Sequence, residues 1–261
     1  AVLFLPHMTE MITGAPSERR RYLNILLSQA IRGYARVLSQ YSRAVLQRNA
    51  LLRTLAERGG DPNQLAYWDQ LLAAQGAYLT LHRAQAIAFL ERTASAVSER
   101  LTERGELLTL KYQPMLKNAD LMDILLADSE SERLKALTER IRSDLTAERR
   151  LDIRRGTTSI GPHRDDLRID ANEIDVGVYG SRGQVRTALL ALKFAEVDWL
   201  REKTGMAPLL LLDETFAELD QARRKELMRY LQEAGQGIIT TTDPPEFDTD
   251  FVLRRTIWEV T

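Results

Sequence analysis

The sequence predicts an α/β fold, an open and mostly parallel sheet carrying an inserted antiparallel pair of long helices. Three observations predict it. Leu209-Leu210-Leu211-Leu212, opened by Pro208 and closed by Asp213-Glu214, is too short for a membrane span and too uniformly apolar for a half-exposed strand. It reads as a central strand covered on both faces. Residues 237–242 (Gly-Ile-Ile-Thr-Thr-Thr) read as a second buried strand. Between residues 16 and 104, two stretches with three-four apolar spacing flank Gly59-Gly60-Asp61-Pro62, a strong stop and restart.

Composition narrows the class. The 261 residues suffice for one large or two ordinary domains, and 44% hydrophobic with 28% charged residues is ordinary for a soluble globular protein. The absence of cysteine excludes disulfides and cysteine zinc sites and fits a reducing cytoplasm. No apolar run approaches the ~18 residues of a membrane helix, and no signal peptide is visible, so a cytoplasmic protein without a membrane partner is expected. With a net charge of −1, any nucleic-acid surface must come from local segregation of charge. The chain opens at Ala1 inside an apolar run, which reads as a strand cut from something longer.

In order, residues 2–5 predict a short buried strand ended by Pro6, and 8–14 a connector. Pro16-Ser17-Glu18 predicts a helix start with Ser17 as N-cap. Leu23, Leu27, Tyr34, Tyr41, Val45, Leu52 and Leu55 then keep helical spacing to Arg58. That predicts one amphipathic helix about 60 Å long at ~1.5 Å per residue. Gly59-Gly60 suits a C-cap, Asp61 an N-cap with Gln64 at capping-box spacing, and Pro62 the first helical position. A second helix to about Arg104 carries the stripe Leu65, Trp68, Leu72, Leu79, Ala86 and Phe89. Helices joined so tightly must lie antiparallel. Further strands are predicted over 106–112, 157–160, 167–170, 174–178, 251–253 and 256–260, and helices over 120–126, 129–150 and 185–203. The implied divisions are 1–15, a strand and connector of the sheet domain; 16–104, the hairpin arm; 105–150, a joining segment; and 151–261, the rest of the sheet domain.

The arm is electrically lopsided. Nine arginines (19, 20, 21, 32, 36, 43, 48, 53 and 58) face two glutamates between Ser17 and Arg58, whereas 61–104 carries four arginines against five acids. An arginine-rich helix is either a phosphate-contacting surface or a solvated face whose stems cover the seam.

Ligands of open α/β sheets lie at the carboxyl ends of the strands, so the leucine strand delivers Asp213 and Glu214 to the binding edge. One carboxylate there suits a divalent cation and a second suits activation of water. Upstream, Tyr179-Gly180-Ser181-Arg182-Gly183-Gln184 opens a helix, whose unsatisfied N–H groups and dipole suit a phosphate. Downstream, Phe216-Ala217-Glu218-Leu219-Asp220 leads into another helix. These ordered segments resemble the signature motif, Walker B strand and D-loop of ABC-type ATPases.

Further stretches sharpen the resemblance. They are Gly14-Ala15-Pro16-Ser17-Glu18-Arg19-Arg20-Arg21-Tyr22-Leu23, Gln47-Arg48-Asn49-Ala50-Leu51-Leu52, Gly161-Pro162-His163-Arg164-Asp165-Asp166-Leu167, Ser181-Arg182-Gly183-Gln184-Val185-Arg186-Thr187 and Thr240-Thr241-Thr242-Asp243. With these the chain resembles the RecF family, ATPases related to SMC and Rad50 heads, over nearly its whole length. The implied fold is a partial ABC-ATPase-like head with a helical-hairpin arm.

The resemblance implies ATP sandwiched between two heads, one giving the phosphate loop and Walker B and the other the signature. Asp213 would hold Mg2+ through water, and Glu214 would be the catalytic base. Ser181, Arg182, Gly183 and Gln184 would meet nucleotide in trans, Gly183 allowing close backbone approach. Asp220 would contact across the dimer or cap the helix from Gln221. Thr242 stands where many ABC ATPases have a switch histidine. Arg19, Arg20, Arg21, Arg32, Arg36, Arg43 and Arg48 would contact DNA. Implied partners are double-stranded DNA near gaps or junctions, a second copy of the chain in an ATP-dependent homodimer, and the RecO and RecR proteins. The implied roles are replication, recombination and the SOS response, including help in loading recombinase.

The phosphate loop GxxxxGK[ST] does not occur in the sequence; it is expected to precede Ala1, so this chain alone is expected not to hydrolyse ATP. His163, in a polar turn, suits a structural hydrogen bond, and His7, His82 and His163 are too far apart in sequence for a metal site. An SMC- or Rad50-type head is the alternative, though the short turn closes the arm too early for a long coiled coil. A non-catalytic DNA-binding or dimerisation fragment is the third reading.

Overall fold

The computed structural model of the chain describes residues 1–102, 106–117, 121–233, 236–241, 256 and 258. In chain order the elements are β1 (Val2–Phe4), α1 (Glu10–Thr13), α2 (Pro16–Ala30), α3 (Tyr34–Arg58), α4 (Ala66–Leu101), β2 (Leu108–Gln113), α5 (Leu121–Leu125), α6 (Glu130–Arg155), β3 (Asp166–Ala171), β4 (Ile174–Asp175), α7 (Val176–Tyr179), α8 (Arg182–Thr204), β5 (Leu210–Asp213), α9 (Gln221–Glu233) and β6 (Gly237–Thr240). The chain divides into two compact units, Ala1–Met8 with Ala207–Thr261, and Thr9–Met206. These boundaries differ from the divisions expected at 15, 104 and 150. The fold is α/β and contains the helical hairpin.

The smaller unit is a parallel sheet in the order β1-β5-β6. The leucine run is its central strand, with Leu210 and Leu212 buried. Helix α9 contributes buried Leu227, Tyr230 and Leu231. β6 is less covered than expected, since Gly237, Ile238 and Thr240 are exposed. The predicted strand over 251–253 and most of that over 256–260 lie outside the described residues.

The larger unit is organised on α4, which packs against α3, α6, α8 and β2. Its long apolar sequence is buried on several sides, with Leu72, Leu79, Leu81, Ala86 and Leu90 inaccessible or nearly so, as expected of a helix without a polar face. Beside it β2-β3-β4 forms an antiparallel sheet, β2 pairing along the full length of β3.

The hairpin is present, but its first half is not one helix. α2 and α3 are separated at Ile31–Gly33, where Gly33 has φ 89°, a conformation that glycine adopts at little cost and that breaks the helical path. Ser17 is not the cap of α2 either. Ala15 holds that position and Pro16 occupies the first turn, where its missing N–H costs nothing. Residues 157–160 are not a strand, because their polar groups bond to helix side chains instead. The predicted strand over 174–178 is a two-residue strand followed by a helical turn, with the Asp175 side chain accepting from Gly177 N–H at 2.9 Å. α6 begins at the capping box of Ser129 and Glu132 and continues to Gly156, whose left-handed φ of 64° ends it.

Candidate functional site

In the smaller unit the carboxyl ends of all three strands meet. Asp213 ends β5, and its Oδ1 accepts from Thr240 Oγ1 of β6 at 2.5 Å. Glu214 N–H donates to the Thr240 carbonyl at 3.1 Å. Thr215 Oγ1 donates to the Phe4 carbonyl of β1 at 3.2 Å. Glu214 has φ 48° and ψ 21°, left-handed backbone in a residue with a β-carbon. Such a conformation costs about 1–2 kcal/mol and persists only where neighbours enforce it. Here it turns the chain out of the strand and sets two adjacent carboxylates at the sheet edge. Asp213 is exposed and Glu214 partly so. Sequence reasoning missed Thr240; the Thr240-Thr241-Thr242 run at the end of a strand was the available signal.

Asp220 follows the turn after Glu214. Its Oδ1 accepts from Arg223 N–H at 3.0 Å and its side chain pairs with the Arg223 guanidinium, so it caps α9. Arg224 Nε fastens the turn by donating to the carbonyls of Phe216 and Leu219 at 3.2 and 2.9 Å. Thr242 lies outside the described residues.

In the larger unit Ser181 and Gln184 form a reciprocal capping box on α8. Gln184 N–H donates to Ser181 Oγ at 3.2 Å, and Ser181 N–H to Gln184 Oε1 at 3.0 Å. Arg182 and Gly183 stand exposed on the first turn. A β-carbon at Gly183 would meet nothing nearer than Ser181 Oγ at 3.9 Å, so the surface over this turn is open. Asp213, Glu214 and Asp220 thus belong to one unit and Ser181, Arg182, Gly183 and Gln184 to the other.

The arginines expected at DNA separate into three groups. Arg21, Arg32, Arg36 and Arg43 are at least partly open to solvent. Arg19 and Arg20 are partly covered. Arg19 is bidentate to Asp166 at 2.7 and 2.9 Å, and Arg20 Nη1 donates to the Asp165 carbonyl at 2.8 Å. Arg48 is not a surface residue and cannot contact DNA as expected from its sequence. It is wholly inaccessible, with Nε on Asp69 Oδ1 at 2.8 Å and Nη1 on Asp152 Oδ2 at 2.7 Å. Thr158 and Asn49 extend this knot, and Arg149 takes the second oxygen of Asp69 at 2.7 Å.

A second knot explains the Gly161-Pro162-His163-Arg164-Asp165-Asp166 turn. Buried Asp165 accepts from Arg83 at 3.1 Å, from Met115 N–H at 2.8 Å and from the Tyr112 hydroxyl. Arg83 Nη1 also donates to the Pro162 carbonyl at 2.6 Å. The turn therefore pins α2, α4 and β2 together. An arginine within the apolar run of α4 was the sequence signal for a buried partner. His163 completes the turn. Its Nε2 faces the Thr158 carbonyl at 3.1 Å, and its Nδ1 the Tyr41 hydroxyl at 2.8 Å. A carbonyl only accepts, so the imidazole is protonated on Nε2 and its Nδ1 accepts from tyrosine. Burial, with the Arg164 and Arg20 charges adding to it, pushes the His163 pKa down to about 4, while the Thr158 bond and Asp165 oppose. The geometry is that of a structural histidine.

No helix among the described residues is long and apolar enough to cross a membrane. No protein-family model matches the chain. Curated relatives do. The chain is 41% identical over 99% of its length to a DNA replication and repair protein RecF of Roseiflexus castenholzii, covering 65% of that protein. It is 32% identical over 99% of its length to the RecF of Shouchella clausii, covering 67%. A solved structure of the recombination mediator protein RecF with ATP, in the RecFOR pathway, superposes with a TM-score of 0.81 at 32% identity, over 95% of this chain and 63% of that one. The chain thus spans about two thirds of the length of the proteins it matches.

Proposed function

This chain belongs to the RecF family of DNA replication and repair proteins, and on that premise we propose that it carries the carboxylate and signature parts of an ATP-dependent clamp on DNA. The observation that supports the reading best is the adjacent pair Asp213 and Glu214, set at the carboxyl edge of a central parallel strand and turned outward by left-handed backbone.

In this reading Glu214 orients the attacking water and takes its proton as the γ-phosphoryl group leaves ADP. Asp213 would hold Mg2+, whose chemistry is to neutralise charge on the phosphates. One exposed carboxylate suits that ion, which takes one or two carboxylates and keeps water and phosphate as its other ligands. Thr240 orients Asp213. Ser181, Arg182, Gly183 and Gln184 of a second copy would meet the γ-phosphate, with the exposed amides of a capped helix and the Arg182 charge as donors. Asp220 would serve the dimer contact through the turn it caps, and Thr242 would sense the phosphate. Hydrolysis would separate the copies and release the DNA.

Double-stranded DNA near gaps or junctions would lie against Arg21, Arg32, Arg36 and Arg43, flanked by Arg19 and Arg20. Arg48 is outside this set. RecO, RecR and the loading of recombinase in the cytoplasm complete the proposal. The likeness to a RecF solved with ATP, a protein of the RecFOR pathway, supports the nucleotide and pathway parts.

The test is calorimetric titration of Mg·ATP into the chain, and into the chain fused at its start to the GxxxxGK[ST] segment of a RecF relative. Binding by the fused protein only is expected, with Glu214→Gln keeping binding and losing turnover by a factor of about 10² to 10⁴, as for a general base. Tight binding by the unfused chain, or full turnover in Glu214→Gln, overturns the reading.

A further inference from the structure

We propose that the groove between α2 and α3 seats a single nucleoside phosphate, presented either as an unpaired nucleotide of a DNA strand or as a free nucleotide. The groove is open to solvent and offers about 610 Å³. That lies within the ~300–1,000 Å³ of small-ligand sites, which pair an apolar lining with a few convergent polar groups. All its lining residues belong to the larger unit.

The lining holds both kinds of group that a nucleotide engages, apolar and cationic. Ile25, 51% exposed, and the partly exposed Leu38 line the groove with apolar surface of the kind that takes the flat face of a base. Arg20 and Arg21, on the first turns of α2, and Arg83 of α4 line it as well and are its cationic groups. Arg83 is 2% exposed and commits Nη1 and Nη2 to Pro162, Asp165 and Asn24, but its Nε has no partner among the described residues. The guanidinium charges here are only partly offset. Asp165 answers Arg83, Asp166 answers Arg19, and Glu18 lies 3.9 Å from Arg21. Arg20 donates to a carbonyl; burial and the like charge of Arg83, with a smaller part from Arg164, lower its pKa, while Asp166 and Asp165 oppose. A phosphate beside these guanidinium groups would accept charge-assisted hydrogen bonds from them. Ser28 and Asn24 also line the groove and suit a sugar or a base edge.

Bases inside a duplex are stacked and cannot enter such a groove, which limits a DNA source to unpaired nucleotides. This seat needs neither ATP nor a second copy, and so goes beyond the clamp reading.

The experiment measures binding of dTMP, of a single-stranded oligothymidylate and of a fully paired duplex to the chain and to Ser42→Trp and Arg21→Glu. Both residues line the groove. Unchanged unfolding midpoints establish that both variants are folded. Oligothymidylate affinity should fall about tenfold or more in each variant. Its salt slope should drop by about one in Arg21→Glu. Duplex affinity should stay within about twofold in Ser42→Trp. Competition by dTMP at millimolar concentration, lost in Ser42→Trp, identifies a free nucleotide as sufficient; oligomer binding without dTMP binding identifies a strand. If folded Ser42→Trp binds dTMP and oligothymidylate as the unaltered chain does, or if the unaltered chain binds neither, the proposal is overturned. Failure of the unaltered chain to bind duplex while it binds oligothymidylate would count against the clamp reading instead.

Discussion

Arg48→Ala separates the buried arginine from its exposed neighbours most sharply. The guanidinium bridges Asp69 and Asp152 with no solvent access to any of the three side chains beyond 2%. Removing it affects the carboxylates unequally. Asp69 keeps Arg149 at 2.7 Å. Asp152 stays fully buried, with the Ser159 N–H still donating to its carboxylate at 3.1 Å. Leaving one such charge uncompensated costs about 3–5 kcal/mol. At about 2–4 °C per kcal/mol for a domain of this size, the midpoint should fall by roughly 6–20 °C. Urea unfolding at neutral pH should show the loss with an unchanged m-value. Adding Asp152→Ala removes the stranded charge and should recover about 1–3 kcal/mol. Affinity for DNA, measured well below the new midpoint, should not change. A variant within about 1 kcal/mol of the unaltered chain that has lost DNA affinity would refute the reasoning and return Arg48 to the phosphate-contacting set.

Three further outcomes follow from particular residues. His163 is neutral when folded, with a pKa of about 4 against about 6.5 unfolded, and it faces Arg20, Arg164 and Asp165. The unfolded chain takes the proton first, so this contribution is complete above about pH 6.5 and is lost as pH falls toward 4. Unfolding midpoints between pH 7 and 4.5 should show about 2 kcal/mol of this dependence, absent in His163→Gln. Glu214→Gly should leave stability unchanged or raise it by up to about 1 kcal/mol, measured by denaturant, because φ 48° is strained for glutamate and not for glycine. Gly161→Ala should cost about 2–4 kcal/mol by the same measurement. Its φ is 117°, and an added β-carbon would overlap the Tyr41 hydroxyl that holds His163.

Short-range chemistry made the sheet and the hairpin readable. A strand written Leu-Leu-Leu-Leu-Asp-Glu states its own burial and its own polar end. A Gly-Gly-Asp-Pro junction states where one helix stops and the next begins. Ser181 and Gln184 were legible as a helix start because a capping box closes within three residues. Predictions that relied on periodicity alone failed where one backbone position overruled it. Gly33 interrupts a continuous apolar stripe that α2 and α3 share, and Asp175 diverts a β-branched segment into a helical turn.

The fold class, the hairpin, the paired carboxylates and the capped start of α8 were all legible without coordinates, because each is encoded within a few residues of chain. Which arginines face solvent depends instead on long-range packing. Arg43 and Arg48 share one helix and one chemistry, yet the first is open to solvent and the second fully buried. The difference lies in Asp69 and Asp152, 21 and 104 residues away. A guanidinium can leave water only where carboxylates meet it, and that meeting is arranged by the packing of α3, α4 and α6 rather than by anything adjacent to Arg48 in the chain.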